Sequence, residues 1–162
     1  MRAVVLGIGN IILTDEGVGV RAVEALETRY KLPESVMPID GGTSGMELLE
    51  DLSGLDLLIV LDTIVAGKEP GTVISLVGDQ VQVFFRKKMS PHQIGLCDVL
   101  ASLELLDALP KEVLVFGVQP LSLELGMDLS PVVAERVPEL VELAVAALNE
   151  RGYLLEPIAA AV

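Results

Sequence analysis

The chain has 162 residues, 51% of them hydrophobic, with 11 basic against 24 acidic residues and a net charge of −13. That length suits one domain, residues 1–162, with a sizeable core and little room for a second, and so negative a field argues against nucleic acid as a partner. The single cysteine, Cys97, excludes an intrachain disulfide and predicts a reducing, cytoplasmic setting.

In chain order, Ala3 to Ile8 is the first nearly continuous apolar run, of the length and Val/Ile content of a strand buried on both faces. Gly7, Gly9 and Asn10 interrupt the longer apolar stretch to Leu13, and no small-residue cleavage pattern follows, so it is not read as a signal peptide. No apolar run approaches bilayer length, which predicts a soluble, unprocessed protein without membrane insertion. Gly19, Ala22, Val23, Leu26 and Tyr30 follow helix spacing up to Pro33. Val36 to Ile39 is a weaker strand, placed near an edge by Pro38. Ser44 and Glu47 form a capping box for a short helix.

Leu57 to Leu61 is the second buried strand, and Thr72 to Val77 a weaker one. The segment from Asp79 to Lys88 is either a short helix or an extended excursion. Leu96, Val99, Leu100, Leu103 and Leu106 form a second helical stripe. Val113 to Val118 is the third buried strand, and Val133, Val137, Leu140, Val141, Ala144 and Leu148 a third stripe with Gly152 as C-cap. The tail from about residue 152 is left unassigned. Strands alternating with helices predict an α/β three-layer sandwich, with a mostly parallel twisted sheet of about five strands and helices on both faces.

Ligands of such sheets bind outside the carboxyl ends of the strands. Acidic residues sit at three of those ends: Asp15 and Glu16 in GIGNIILTDEGVGV, Asp40 in DGGTSG, and Asp62 in LIVLDT. Together they would repel unless a cation, a proton or a donor relieved them. Each also has a plainer reading. Asp15 is best read as a helix cap, Asp40 as an acceptor for the Gly41 and Gly42 amides, and Glu16 as a charge tolerated by a helix dipole. Asp62 follows five apolar residues and should be partly buried, so it needs a partner. The only histidine, His92, lies in SPHQIGLCDVL, where Ser90 reads as an N-cap, Pro91 as the first helical residue and Gln93 as the end of a capping box. A lone histidine is more often a surface or capping residue than a ligand, but a first-turn position keeps a nitrogen lone pair available to a metal.

One His and one Cys cannot assemble the common structural zinc sets. Two carboxylates and one imidazole can hold nickel, zinc or cadmium and leave positions open. The dinucleotide fingerprint fails at Ile12, no phosphate loop is present, and no serine lies in a nucleophile elbow. Cys97 falls near an apolar stripe and reads as a core thiol.

GIGNIILTDEGVGVRAVEAL, DGGTSGMELL, LIVLDTIVAG and SPHQIGLCDVL, in that order, resemble the nickel–iron hydrogenase maturation endopeptidases, over about Met1 to Glu150. The resemblance implies a hydrogenase maturation protease that removes the C-terminal peptide of a large-subunit precursor. It implies metal binding at Glu16, Asp62 and His92, a processing role for Asp40 as a provisional catalytic residue, and substrate contacts at Gly41, Gly42 and Thr43. The nickel would be supplied by the substrate, with zinc or cadmium able to substitute, so the three ligands would check that metal insertion is complete. Whether the metal activates water or Asp40 acts as base stays open, which leaves the peptidase between metallo- and aspartyl-type. A non-proteolytic nickel-binding maturation chaperone is the alternative reading, ahead of a resident-zinc peptidase and a phosphate- or nucleoside-binding enzyme. GVQP, at Gly117 to Pro120, matches the family's late strand and turn and receives no chemistry.

Overall fold

A computed structural model describes residues 1–42, 44–87 and 94–158. Elements in chain order are β1 (Ala3–Ile8), a 3₁₀ turn (Thr14–Gly17), α1 (Val18–Arg29), β2 (Tyr30–Lys31) and β3 (Val36–Gly42). A second 3₁₀ turn (Met46–Leu48) leads into α2 (Leu49–Leu52), followed by β4 (Leu57–Thr63), β5 (Val73–Val77), α3 (Asp79–Lys87) and α4 (Ile94–Leu105). The chain continues through β6 (Glu112–Val118), α5 (Pro131–Ala134), α6 (Val137–Glu150) and β7 (Glu156–Pro157). The main sheet has the order β3-β1-β4-β6-β5, parallel throughout except for β5, which runs antiparallel to β6 on the far edge. The expected architecture is therefore the observed one, with β3 and its Pro38 on an edge.

Side-chain alternation divides the core in two. Val5, Ile59, Leu61 and Phe116 pack with Ala22, Leu26, Leu140 and Leu148 of α1 and α6. Val4, Leu6, Val60 and Val115 pack with Leu52, Val81, Val99 and Leu103 on the other face. The β1-to-β3 connection moves one way and uses α1 on the first face, whereas the β3-to-β4 and β4-to-β6 connections move the other way and use the second face. A single crossover hand demands that arrangement. Connections therefore leave β1 and β4 in opposite directions, and a crevice opens between their carboxyl ends.

Local expectations change in four places. The segment 79–87 is a helix. The predicted single stripe from Val133 to Leu148 is two helices, because Pro138 cannot donate to the preceding turn and restarts the helix at its own N-terminus. The short helix expected from Ser44 begins as a 3₁₀ turn at Met46, with Gly45 in the cap position. There the Glu47 carboxylate accepts from the Gly45 amide at 2.9 Å, so Ser44 is not the cap. The unassigned tail is anchored: β7 pairs with β2, and Gly152, at φ 87°, closes α6 as expected. Arg151 then joins the helix to the sheet, donating to both Glu112 carboxylate oxygens at 2.7 and 2.8 Å and to the Ala147 carbonyl.

Candidate functional site at the carboxyl edge of the sheet

The crevice between β1 and β4 is built by close backbone approach. A Cβ on Gly19 in α1 would stand 2.0 Å from the Leu61 carbonyl oxygen and 2.6 Å from that of Ile8, so only glycine lets the helix start this near both strands. Gly9, at φ +132°, likewise lies where a Cβ would meet the Glu16 carbonyl oxygen at 1.8 Å. These contacts press the turn carrying Glu16 onto the end of β1.

The expected end of β4 at Leu61 is extended by two residues, and Asp62 and Thr63 are both buried inside the strand. Asp62 is 1% exposed, more deeply buried than the partial burial expected, and accepts from the Thr63 amide at 2.7 Å. The Thr63 hydroxyl donates to the Asp15 carbonyl at 2.7 Å. Glu16 and Asp62 are each one residue from that hydrogen bond, so the 3₁₀ turn and β4 bring these two positions to one crevice. Glu16 is half-buried there. Two carboxylates at a switch point suit a divalent cation of the hard or borderline class. Among the described residues no group of three His, Cys, Asp or Glu side chains is placed to hold a metal. His92, with Ser90, Pro91 and Gln93, lies outside the described residues, as does Thr43.

Asp40 shares a rung with Gly7 and Leu61, whereas Asp62 belongs to the next rung, paired with Gly117. Strand alternation therefore directs Asp40 and Asp62 to opposite faces, and β1 separates them by two strand spacings, about 10 Å. Asp40 is exposed, and among the described residues neither the Gly41 nor the Gly42 amide donates to it, contrary to the plainer expectation. Gly41 and Gly42 continue β3 beside it, and Gly42 accepts from the Gly9 amide.

Asp15 does not cap α1. It is fully buried, and its Oδ2 accepts from the Leu121 and Ser122 amides, both at 2.9 Å, while Oδ1 accepts from the Ser130 amide at 2.8 Å. The Ser130 hydroxyl adds a further bond, which leaves α5 without a side-chain cap from that serine. Burial alone would raise the Asp15 pKa, but the donors from Ser122, Ser130 and Leu121 outweigh it and hold the carboxyl below its usual range. Gln119 of GVQP is a second clamp: its Oε1 accepts from the Ala66 and Lys68 amides, fixing the loop after β4. Asp15 carried only a local cap signal, because its partners lie more than a hundred residues away. Gln119 carried one available signal, an amide directly after a buried strand. Cys97 is partly buried against the second core, as expected of a structural thiol.

A model of the hydrogenase maturation protease family matches residues 20–147. The hydrogenase 2 maturation protease of Escherichia coli (strain K12) is 50% identical over 153 residues, covering 94% of this chain and 93% of the relative. The hydrogenase expression/formation protein HupD of Bradyrhizobium diazoefficiens is 44% identical, covering 93% and 80%. Among solved structures, the hydrogenase maturating endopeptidase HybD from E. coli superposes with a TM-score of 0.95 at 47% identity, covering 99% of this chain and 100% of that one. The [NiFe] hydrogenase maturation protease HybD from Thermococcus kodakarensis gives a TM-score of 0.72 at 27% identity, covering 91% and 99%.

Proposed function

The chain belongs to the hydrogenase maturation protease family and is an endopeptidase of that kind, and on that premise we propose that it removes the C-terminal peptide from a nickel-loaded [NiFe] hydrogenase large-subunit precursor. Glu16, Asp62 and His92 read the substrate's nickel, and Asp40 serves the cleavage. The observation that carries this reading is the meeting of the Glu16 and Asp62 positions at the switch-point crevice, through the bond from the Thr63 hydroxyl to the Asp15 carbonyl. A carboxylate pair of this kind, completed by an imidazole, leaves coordination positions for ligands already held by another protein. The metal is then part of the substrate, and zinc or cadmium can take its place in the same donor set.

Asp40 stands about two strand spacings from Asp62 on the opposite face, too far to share one ion with it. That separation supports a division of labour. Glu16 and Asp62 hold the metal end of the precursor, while Asp40 accepts a proton from the water attacking the scissile carbonyl. Gly41, Gly42 and Thr43 would pass the precursor's backbone beside Asp40. The protein works in the cytoplasm in this reading, where metal is inserted.

The test is the mass of a nickel-loaded precursor before and after incubation with the protein, beside the same precursor without nickel. Loss of a discrete C-terminal peptide from the loaded form alone is the expected result. Loss from both forms removes the nickel check. No loss from either, with a verified competent precursor, overturns the proposal in favour of a metal-binding chaperone.

A further inference from the structure

We propose that loop 119–130 presents a docking rail for an apolar segment of the hydrogenase precursor flanked by basic side chains, an inference that rests on the function proposed above. Leu121, Leu123, Leu125 and Met127 are 59%, 42%, 81% and 55% exposed. The alternating residues Ser122, Glu124 and Gly126 carry the backbone bonds to the loop after β1. The Ser122 carbonyl accepts from the Asp15 amide, the Glu124 carbonyl accepts from the Thr14 hydroxyl, and Gly126 bonds to both Ile12 and Thr14. The result is an irregular segment of bends, joined to the loop after β1 by the isolated Leu13–Gly126 bridge, from which the apolar side chains stand out into solvent. Ile12, 45% exposed, borders it.

This stripe is not loose chain. The Asp15 carboxylate pins it at Leu121, Ser122 and Ser130, so little ordering remains to oppose an occupant. Contiguous exposed apolar side chains of this kind mark interaction surfaces. Charge identifies the partner's chemistry: Glu124 and Asp128 interleave with the stripe, no Lys or Arg occurs between Gln119 and Glu135, and Arg21, whose guanidinium reaches the Met127 carbonyl at 3.4 Å, is already paired with Glu24. The complement is apolar with Lys or Arg at its margins. Position identifies the partner itself, because the rail is hydrogen-bonded to the turn that carries Glu16. A segment lying on it belongs to the same molecule as the nickel read in the crevice. Leu105 and Leu106, also exposed, sit at the opposite end of the sheet and have no such continuity.

Nickel-loaded precursor titrated into the full chain tests the rail. A Leu123→Ser/Leu125→Ser variant is expected to weaken Kd by about tenfold or more, with an unchanged thermal midpoint because both side chains are exposed. Glu124→Lys/Asp128→Lys should also weaken it, wild-type binding should weaken with added salt, and Leu105→Ser/Leu106→Ser should bind as wild type. If the double serine variant fails to fold, Leu125→Ser alone carries the test. Unchanged Kd in a folded stripe variant overturns the rail even where the wild type cleaves the precursor. Stripe-dependent binding without cleavage keeps the rail and removes the proteolytic reading. Loss of self-association on stripe substitution, with precursor binding intact, assigns the surface to a second copy and overturns the proposal.

Discussion

The amide and hydroxyl of Ser130 both donate to the carboxylate of Asp15, 115 positions earlier in the chain, at 2.8 and 2.9 Å. With the Leu121 and Ser122 amides on the other oxygen, one buried carboxylate holds loop 119–130 to the turn that carries Glu16. Asp15→Asn places an NH₂ donor among groups that are themselves donors and leaves buried amides without an acceptor. It is expected to destabilise the protein by about 3 kcal/mol, whereas Ser130→Ala, which removes only the hydroxyl, costs about 1–2 kcal/mol. Urea unfolding of both variants checks the ranking. Equal losses would mean that the amide bonds contribute little.

The Arg151 guanidinium holds Glu112 below the usual carboxylate range by direct hydrogen bonding, against a smaller opposing effect of burial. A carboxyl whose pKa is lower in the folded state contributes stability above its unfolded pKa, and that contribution disappears as pH falls through the folded value. The Glu112 side chain is 43% exposed, so solvent screening limits the pair to about 1 kcal/mol or less. Glu112→Gln should therefore unfold at a lower urea midpoint at neutral pH, and its deficit should shrink towards zero below about pH 4. A deficit that persists in acid would assign the effect to packing of the Arg151 stem.

The three central strands were legible because they are short runs of Leu, Val and Ile that suit burial on both faces, whereas the partly exposed β3 and β5 left weaker runs. Pro38 placed β3 on the edge, and Gly152 marked the end of α6. The Glu16 and Asp62 positions were legible too, since fold logic alone brings strand ends to one edge. The partners of Asp15 were not, because a carboxylate before a helix looks like a cap whatever lies a hundred residues away. Nor was the break between α5 and α6, where an unbroken apolar stripe masked the effect of Pro138. The tail from Tyr153 lies beyond the motifs that carried the resemblance and has no periodicity, and its pairing with β2 is only two residues long, too short to leave a pattern.

Gly19 tests whether the crevice depends on backbone contact. A Cβ there overlaps the Leu61 carbonyl oxygen, which belongs to a central strand and cannot move aside without shifting β4. Gly19→Ala is expected to cost about 3 kcal/mol, at the upper end for overpacking, and to lower precursor cleavage by moving the Glu16 turn away from Asp62. Gly54→Ala is the comparison: no atom lies within 4 Å of the added Cβ, and only the φ of +66° opposes it. That variant should lose about 1–2 kcal/mol and retain cleavage. Denaturant midpoints and precursor turnover, measured together, separate the two.

The two kinds of carboxylate at the edge should fail differently. Asp62→Asn keeps an oxygen for the Thr63 amide, but under the proposed function it removes a charged ligand for the substrate's nickel. Cleavage of the loaded precursor should fall, and so should the preference for loaded over nickel-free precursor. Asp40 is exposed and on the other face, so Asp40→Asn should change stability by no more than about 0.5 kcal/mol and leave precursor binding intact. If Asp40 is the general base, cleavage drops by about 10²–10⁴-fold. Single-turnover cleavage beside an equilibrium binding titration distinguishes these effects. Full activity in Asp40→Asn would move the chemistry to water activated on the substrate's own metal, with Asp62 and Glu16 reporting its presence and holding it in place.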